Sequence, residues 1–511
     1  MIGTSASHKS SHKQAKPSVQ SHTDLRQSTF DRMLVKAKLT KGELAYIIFC
    51  FFVMLAWAWI QKYDYGCDET RRLLVPEYIY AFGKLPNGRD PLVIFQPYGF
   101  SYATTYTFLP AILCAICMRI MSIFTVANKA LLIAARIPSV IAGTITVYVT
   151  IRLSKLLFNK PYTRRVYIAL MTLLPEFIFL SSFFNSDIIA ICFSQYIIWA
   201  MVDLYNNRWT KVAYAKLIVG LTGCMLSYLN TYIWIPTAIA YFIAMGKQSQ
   251  IESKRLAKDA LIIGAICTAL VSPFLIRQVT LYGSDLTGDH TGKETAAIYA
   301  DKDFDLSTYD TSPIKLGYTI QDVITGNVPA KYRVKNWLYK SRESFYGRFG
   351  YSSKYMPLNT YRAFRVLYGT GVIVGLAMFT YRLRKKAYSR RRLILLGAFV
   401  VAFVLILLLS VYYSIFISFQ PQARYTMPVA QFVIAFVAAK GWGYVLEYCN
   451  DRRHGWANIL STALVIASLA LLINATRTTF IPTAYSPKAE IPNMNMASDD
   501  WVQYTHPYKK H

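Results

Sequence analysis

The sequence predicts an all-α polytopic membrane protein, a bundle of about eleven transmembrane helices with external loops forming the active site. Three observations predict it. Of the 511 residues, 54% are hydrophobic and only 16% are charged. The apolar residues come in blocks near the ~20 that a helix needs to cross hydrocarbon, instead of the short stripes of a soluble domain. The basic residues fall between those blocks. Helices are the expected form because they satisfy their own backbone hydrogen bonds where lipid offers no partner.

A net charge of +29 would also suit a nucleic-acid binder. The placement of the charge excludes that reading. Arg382, Arg384, Lys385 and Lys386 are followed by Arg390, Arg391 and Arg392 between two apolar blocks, the pattern of cytoplasmic loops beside anionic headgroups. The expected surroundings are membrane lipids, with no nucleic acid. Of the eight cysteines, only Cys67 lies in a loop, and no disulfide framework or zinc spacing is present.

Residues 1–42, rich in Ser, Lys, His and Gln, read as a disordered basic cytoplasmic tail. The block Leu44 to Gln61 follows Lys36, Lys38 and Lys41 and lacks a small-residue cleavage site, so it reads as an uncleaved first span. Residues 43–277 then form an N-terminal transmembrane module with an acidic first external loop, 62–129. Within that loop, Tyr102 to Phe124 is apolar enough to cross. If it did, Arg152, Lys155, Lys160, Arg164 and Arg165 would be external. It is therefore read as a helix dipping into the outer leaflet, which Pro110 and Arg119 suit.

Further spans follow at 130–151, 166–184, 188–205, 217–229, 231–245, 259–277, 361–381, 393–416, 428–447 and 458–474. The pair 217–229 and 231–245 reads as a hairpin of two short helices turning near Asn230. Residues 278–360 are an external region ordered by Trp337, Phe345, Tyr346, Phe349 and Tyr351. Residues 361–474 hold the last helices and 475–511 form an external C-terminal tail.

Three polar constellations share the external face. The first runs from Gly66 to Thr70 and holds Asp68 and Glu69, with Arg71 and Arg72 next. A carboxylate here serves as a general base on a hydroxyl, helps hold a divalent cation against a phosphate, or is simply a solvated loop acid. The second runs from Ser181 to Asp187. Asn185 or Asp187 serves as a helix N-cap, or binds an acceptor or a cation. The third is Gln420-Pro421-Gln422-Ala423-Arg424-Tyr425. Arg424 breaks the inside bias of basic residues. It either snorkels to the headgroups or offers a planar fork to a lipid-linked phosphate, with Tyr425 adding a hydrogen bond.

Taken with Pro86 to Pro91, Gln96-Pro97-Tyr98-Gly99 and Leu174 to Ser182, these motifs resemble bacterial GT-C glycosyltransferases. They look most like the family 39 enzymes of Gram-positive type, similar in plan to protein mannosyltransferases and the aminoarabinose transferase of lipid A. The resemblance runs from about residue 44 to 445. It implies a polyprenyl-phosphate sugar as donor, a cell-wall polymer or lipid as acceptor, and transfer outside the membrane with inversion. It makes Asp68 the base and Glu69 its neighbour or a cation ligand. Asp187, with Asn185, becomes the second polar element, for acceptor or cation. Arg424, Tyr425, Arg71 and Arg72 fall to the donor phosphate. The chain departs in having Gly66-Cys67 where proline is common, which leaves open which acid is the base. A lipid-linked glycan flippase or transporter would need charges in mid-membrane, where few are seen. A polysaccharide polymerase would need a diphosphate-linked repeat.

Overall fold

The structure, a computed structural model, describes residues 29–302, 304, 312–326 and 336–501. The expectations for residues 1–28 and 502–511 lie outside the described residues. The chain divides into two compact units, Met1–Tyr46 and Ile47–His511.

In the first unit, helix α1 (Thr29–Ala37) replaces part of the expected disordered tail. Phe30, Met33, Leu34 and Ala37 recur at helical spacing, a one-sided apolar stripe that the surrounding polar composition hides. Helix α2 (Lys41–Ile60) starts at a reciprocal cap. The Glu43 amide donates to Thr40 Oγ1 at 3.2 Å and the Thr40 amide donates to Glu43 Oε2 at 2.8 Å.

The second unit continues through α3 (Glu69–Phe82), α4 (Leu109–Ser122), α5 (Asn128–Leu157), α6 (Pro161–Thr172), α7 (Pro175–Leu180), α8 (Ser186–Tyr205), α9 (Lys211–Ser227), α10 (Trp234–Gln248) and α11 (Ser253–Tyr282). After α12 (Asp289–Tyr299), α13 (Ile320–Ile324) and α14 (Trp337–Tyr346) comes the hairpin β1 (Arg348–Phe349) and β2 (Lys354–Tyr355), paired antiparallel. The chain then runs through α15 (Leu358–Arg384), α16 (Arg390–Phe416), α17 (Met427–Arg452), α18 (Trp456–Ala475) and α19 (Ile481–Ala484).

Among the described residues, 8 helices are long and apolar enough to cross a membrane, so the chain is a multi-pass membrane protein. The other three expected spans take shorter forms. The span at 166–184 is broken into α6 and α7, because Pro175 forces Leu174 into an extended conformation (φ −75°, ψ 123°). The pair 217–229 and 231–245 appears as α9 and α10, of 17 and 15 residues, turning through Leu229–Ile233. The segment expected to dip into the leaflet is α4, of only 14 residues and with Pro110 in its first turn. Helix α18 does not stop near 474 but runs on through a π-turn at Thr476–Phe480 into α19, so the tail begins ten residues later than expected.

Helices α5 and α8 lie mostly inside the bundle, while α11, α15, α16 and α18 keep most of their surface outward, as lipid-facing helices do. Helices α15 and α17 meet through small residues: a Cβ on Gly441 would stand 1.8 Å from the Gly371 carbonyl oxygen. Gly371 and Gly375 are one turn apart, the spacing that lets membrane helices touch backbone to backbone. In the region after α11, Trp337, Phe345, Tyr346 and Phe349 are buried, as their clustering in the sequence predicts, whereas Tyr351 is exposed. Beyond α19, Met494 and Met496 pack into the cluster of Tyr63, Leu73, Phe95 and Met118, so this segment lies on the same side as the first loop.

Candidate active site

The site forms where the loop before α3, the turn before α8 and the turn before α17 converge. Each has a local reason for its shape. The first loop comes close to the second turn because Gly66 lacks a side chain: a Cβ there would stand 2.2 Å from the Phe183 ring. This accounts for Gly66 where proline was expected. Asp68 then takes the left-handed conformation (φ 60°, ψ 20°), which aspartate tolerates better than most residues. In the second turn, Asn185 Oδ1 accepts from the Ile188 amide at 3.0 Å and starts α8. In the third, Ser344 of α14 accepts from the Ala423 amide at 2.6 Å and fixes the turn that carries Arg424.

Arg424 is the centre of the arrangement. Its Nη2 lies 3.4 Å from Asp68 Oδ2 and its Nη1 lies 3.9 Å from Asp187 Oδ2. Nη2 also donates to the Tyr425 hydroxyl at 3.0 Å, which donates in turn to Gln420 Oε1 at 2.5 Å. The Arg424 side chain is 4% exposed, so it does not reach out to headgroups as a snorkelling cation would. Among the described residues its Nε and Nη1 make no hydrogen bond, and neither do the Asp187 oxygens. Buried donors and acceptors of this kind are ordinarily paired, so they mark a place where polar chemistry is unfinished.

Arg72 approaches from α3: its Nη1 donates to Ser186 Oγ at 2.6 Å and its guanidinium lies 5.0 Å from the centre of the Tyr102 ring. Arg71 lies 3.4 Å from Asp68 Oδ1 and is stacked near Tyr98 and Phe95, at 4.5 and 5.1 Å. Asp68 is thus held between two guanidinium groups yet keeps 21% of its side chain exposed, whereas Asp187 is wholly buried.

Two of the expected site residues face elsewhere. Glu69 is fully buried and takes both forks of Arg136 of α5, at 2.7 and 2.6 Å, while also accepting from the Phe184 amide at 3.2 Å. Asn185 is spent on capping α8 and on the carbonyls of Leu180 and Phe183. The expected set therefore splits into Asp68, Asp187, Arg424, Tyr425, Arg72 and Arg71 at the site, with Glu69 and Asn185 in its frame. Arg136 was missed in the sequence, although an arginine within an apolar span is itself a signal.

The acids of the site are two, Asp68 and Asp187. Arg424 already supplies positive charge to both Asp68 and Asp187, and no group of three His, Cys, Asp or Glu among the described residues is arranged to hold a metal. Two further groups near the site were not anticipated. Burial pushes the Cys67 thiol up to about 11 against the pull of Arg424, and its Sγ donates to the Gly350 carbonyl at 2.9 Å. Burial, with Arg348 nearby, brings the Lys340 ammonium of α14 down to about 8.

The fold defines a class, the multi-span helical membrane proteins. Residues 103–276, about a third of the chain, match the family described as dolichyl-phosphate-mannose-protein mannosyltransferase. No curated protein matches the chain. Among solved structures, the apo oligosaccharyltransferase of Archaeoglobus fulgidus is similar at a TM-score of 0.53 and 14% identity, over 87% of this chain and 56% of that one. The same enzyme, AglB, in complex with an inhibitory peptide and a dolichol-phosphate is similar at 0.53 and 13% identity, over 88% and 56%. ArnT from Cupriavidus metallidurans bound to undecaprenyl phosphate aligns at 0.47 and 12% identity, over 86% and 73%, a likeness too loose to build on. The chain spans little more than half the length of the oligosaccharyltransferase. What the likeness to the oligosaccharyltransferase shows is the fold alone, the GT-C fold expected from the motifs.

Proposed function

We propose that the chain is a membrane glycosyltransferase that moves a sugar from a polyprenyl-phosphate donor to a cell-envelope acceptor on the external face, with inversion. The observation that carries this reading is Arg424, a buried guanidinium set between an accessible carboxylate and a buried one. Transfer by a single displacement develops charge at two places, the attacking hydroxyl and the departing phosphate. Asp68 is placed for the first. It is accessible, and it takes the proton of the acceptor hydroxyl as that oxygen bonds to the anomeric carbon. The bond from that carbon to the phosphate oxygen breaks, and its electron pair stays on the departing polyprenyl phosphate. Arg424 and Arg72, with unpaired nitrogens beside the acids, are placed for the phosphate. Asp187, excluded from solvent, balances and orients Arg424. Arg71, clamped between aromatic rings and Asp68, positions the base. The fold supports the reading, since the dolichol-phosphate complex of AglB shows that a protein of this fold holds a lipid-linked phosphate.

The test is transfer by purified full-length protein, incubated with a panel of radiolabelled polyprenyl-phosphate sugars and cell-envelope fractions, with and without EDTA. Labelled polymer or lipid that survives EDTA is the expected product. No transfer from any monophosphate-linked sugar would sink the reading, and transfer from a diphosphate-linked repeat alone would make the protein a polymerase.

A further inference from the structure

A cleft of about 370 Å³ opens between the first loop and the β1–β2 hairpin, lined by Lys62, Asp64, Tyr65, Tyr351, Lys354 and Thr483 among others. Its volume is near the lower end for small-ligand pockets and suits one polar unit of a few heavy atoms, not an extended chain. We propose that this cleft is the acceptor subsite and takes a phosphate-bearing acceptor, whose anionic group is held by Lys62 and Lys354. The proposal rests on the glycosyl-transfer reading above and names the chemistry of its second substrate.

Charge is the first argument. Lys62 and Lys354 are exposed, and among the described residues neither has an ion-pair partner. The single acid of the cleft, Asp64, is already engaged: Oδ1 accepts from the Tyr351 hydroxyl at 2.6 Å and from the Thr70 amide at 3.4 Å. The hydroxyls of Tyr65 and Thr483 also line the cleft, bonded to each other at 2.5 Å, with Thr483 Oγ1 donating onward to the Thr479 carbonyl at 2.6 Å. Two ammonium groups on one cleft are charged donors of the kind that a phosphate oxygen recognises. The donor's phosphate is provided for by Arg424 and Arg72. A separate pair of cations therefore calls for a second anion.

Connection to the base is the second argument. Tyr351, a wall of the cleft, lies 6.0 Å from the Arg71 guanidinium, which sits 3.4 Å from Asp68 Oδ1. The Cys67 thiol, one residue before the base, is tied to Gly350 in the hairpin turn. Asp64 and Asp68 are four residues apart, so their backbones stand within roughly 14 Å of each other at the chain's maximum reach. The hydroxyl of an acceptor anchored in the cleft would have to cross that gap to reach Asp68.

The test uses the full-length protein in phosphatidylcholine nanodiscs, titrated with a fluorescent glycerol-phosphate trimer and with a neutral glucose trimer of similar length. The phosphate trimer should bind and the glucose trimer should not. Lys62→Glu and Lys354→Glu should each weaken binding by about tenfold or more, and Lys354→Gln by less. In a second arm, native mass spectrometry counts phosphatidylglycerol retained by the wild type and the same variants. Loss of retained lipid in the variants would identify a headgroup as the phosphate source, whereas an effect confined to the trimer would identify a soluble polymer. Either result supports the proposal. Failure of both probes to bind, or equal binding by wild type and charge-reversed variants of unchanged melting temperature, would overturn it. Because binding is read without turnover, these results stand apart from the transfer assay. Active transfer with an indifferent cleft would refute the cleft alone, and a phosphate-binding cleft without transfer would refute the enzymatic reading.

Discussion

The guanidinium of Arg136, on α5, holds the carboxylate of Glu69 through two hydrogen bonds of 2.7 and 2.6 Å where neither side chain meets solvent. The neighbouring Asp68 is exposed to the site. Adjacent acids therefore carry opposite expectations. Glu69→Gln leaves a buried arginine without its counter-charge, and removing one partner of such a pair costs ~3–5 kcal/mol, so melting temperature and yield of monodisperse protein should fall sharply. Asp68→Asn should cost less stability than Glu69→Gln, because its carboxylate is 21% exposed and not wholly buried, but should lower transfer ~10²- to 10⁴-fold. Thermal unfolding in detergent and initial rates on the same preparations separate the two. An active Asp68→Asn protein would retire Asp68 as the base.

Arg424 offers a test of geometry against charge. Its fork serves Asp68, Asp187 and Tyr425 at once. Lysine keeps one positive charge but cannot span those partners. Arg424→Lys should raise the donor KM, and Arg424→Ala should raise it further while leaving buried Asp187 without a counter-charge. If the lysine variant matched the parent in donor KM and turnover, the fork would have no part in donor binding.

The glycine seam gives a prediction independent of chemistry. Gly441→Ala would drive a methyl group into the Gly371 carbonyl, a contact between two backbones that no rotamer relieves. Overpacking of this kind costs ~1–3 kcal/mol or more, and the melting temperature should drop accordingly. Gly369→Ala, on α15 two residues before Gly371 and with nothing within 4 Å, is the control and should be neutral or slightly stabilising. Equal melting temperatures for the two variants would mean that α15 and α17 do not pack as described.

Lys340 predicts a pH dependence. Burial and the nearby Arg348 lower its folded pKa to about 8, while the unfolded chain keeps the ordinary value of about 10.4. The unfolded state binds the extra proton between those limits. The penalty is therefore fully present below pH 8 and is relieved as pH rises toward the unfolded value. The melting temperature of Lys340→Met should exceed that of the parent at pH 7, and the gap should close by pH 10. A gap independent of pH would show that Lys340 stays charged.

The external assignment of the site is open to labelling. Lys293 is exposed on α12, in the region 278–360. In intact cells, Lys293→Cys should react with a membrane-impermeant maleimide, against the parent chain as background. Reaction only after permeabilisation would put the site on the cytoplasmic side.

Much of this protein is written locally. Apolar blocks such as Leu393 to Phe416 declare a spanning helix because partitioning into hydrocarbon depends on composition over one segment, with no distant partner needed. Asp68, Asp187 and Arg424 stand out for the same reason: each is a charge at the edge of such a block. The helix Thr29–Ala37 was equally local but lay hidden in polar surroundings, and the break at Pro175 could have been read from the proline itself.

What only the tertiary structure decided is the division of labour among neighbours. Asp68 is left-handed at the N-cap and Glu69 is the first residue of α3, and the two face different partners. Which of them faces the site depends on where α5 brings Arg136, a residue 67 positions away. The same holds for the meeting of Asp68 with Arg424, 356 positions apart, and for the cleft that joins Lys62 to Lys354. A sequence records each charge and its surroundings along the chain. The pairing of charges arises from packing across the bundle, where the cost of burying an ion is met only by a partner supplied from another helix.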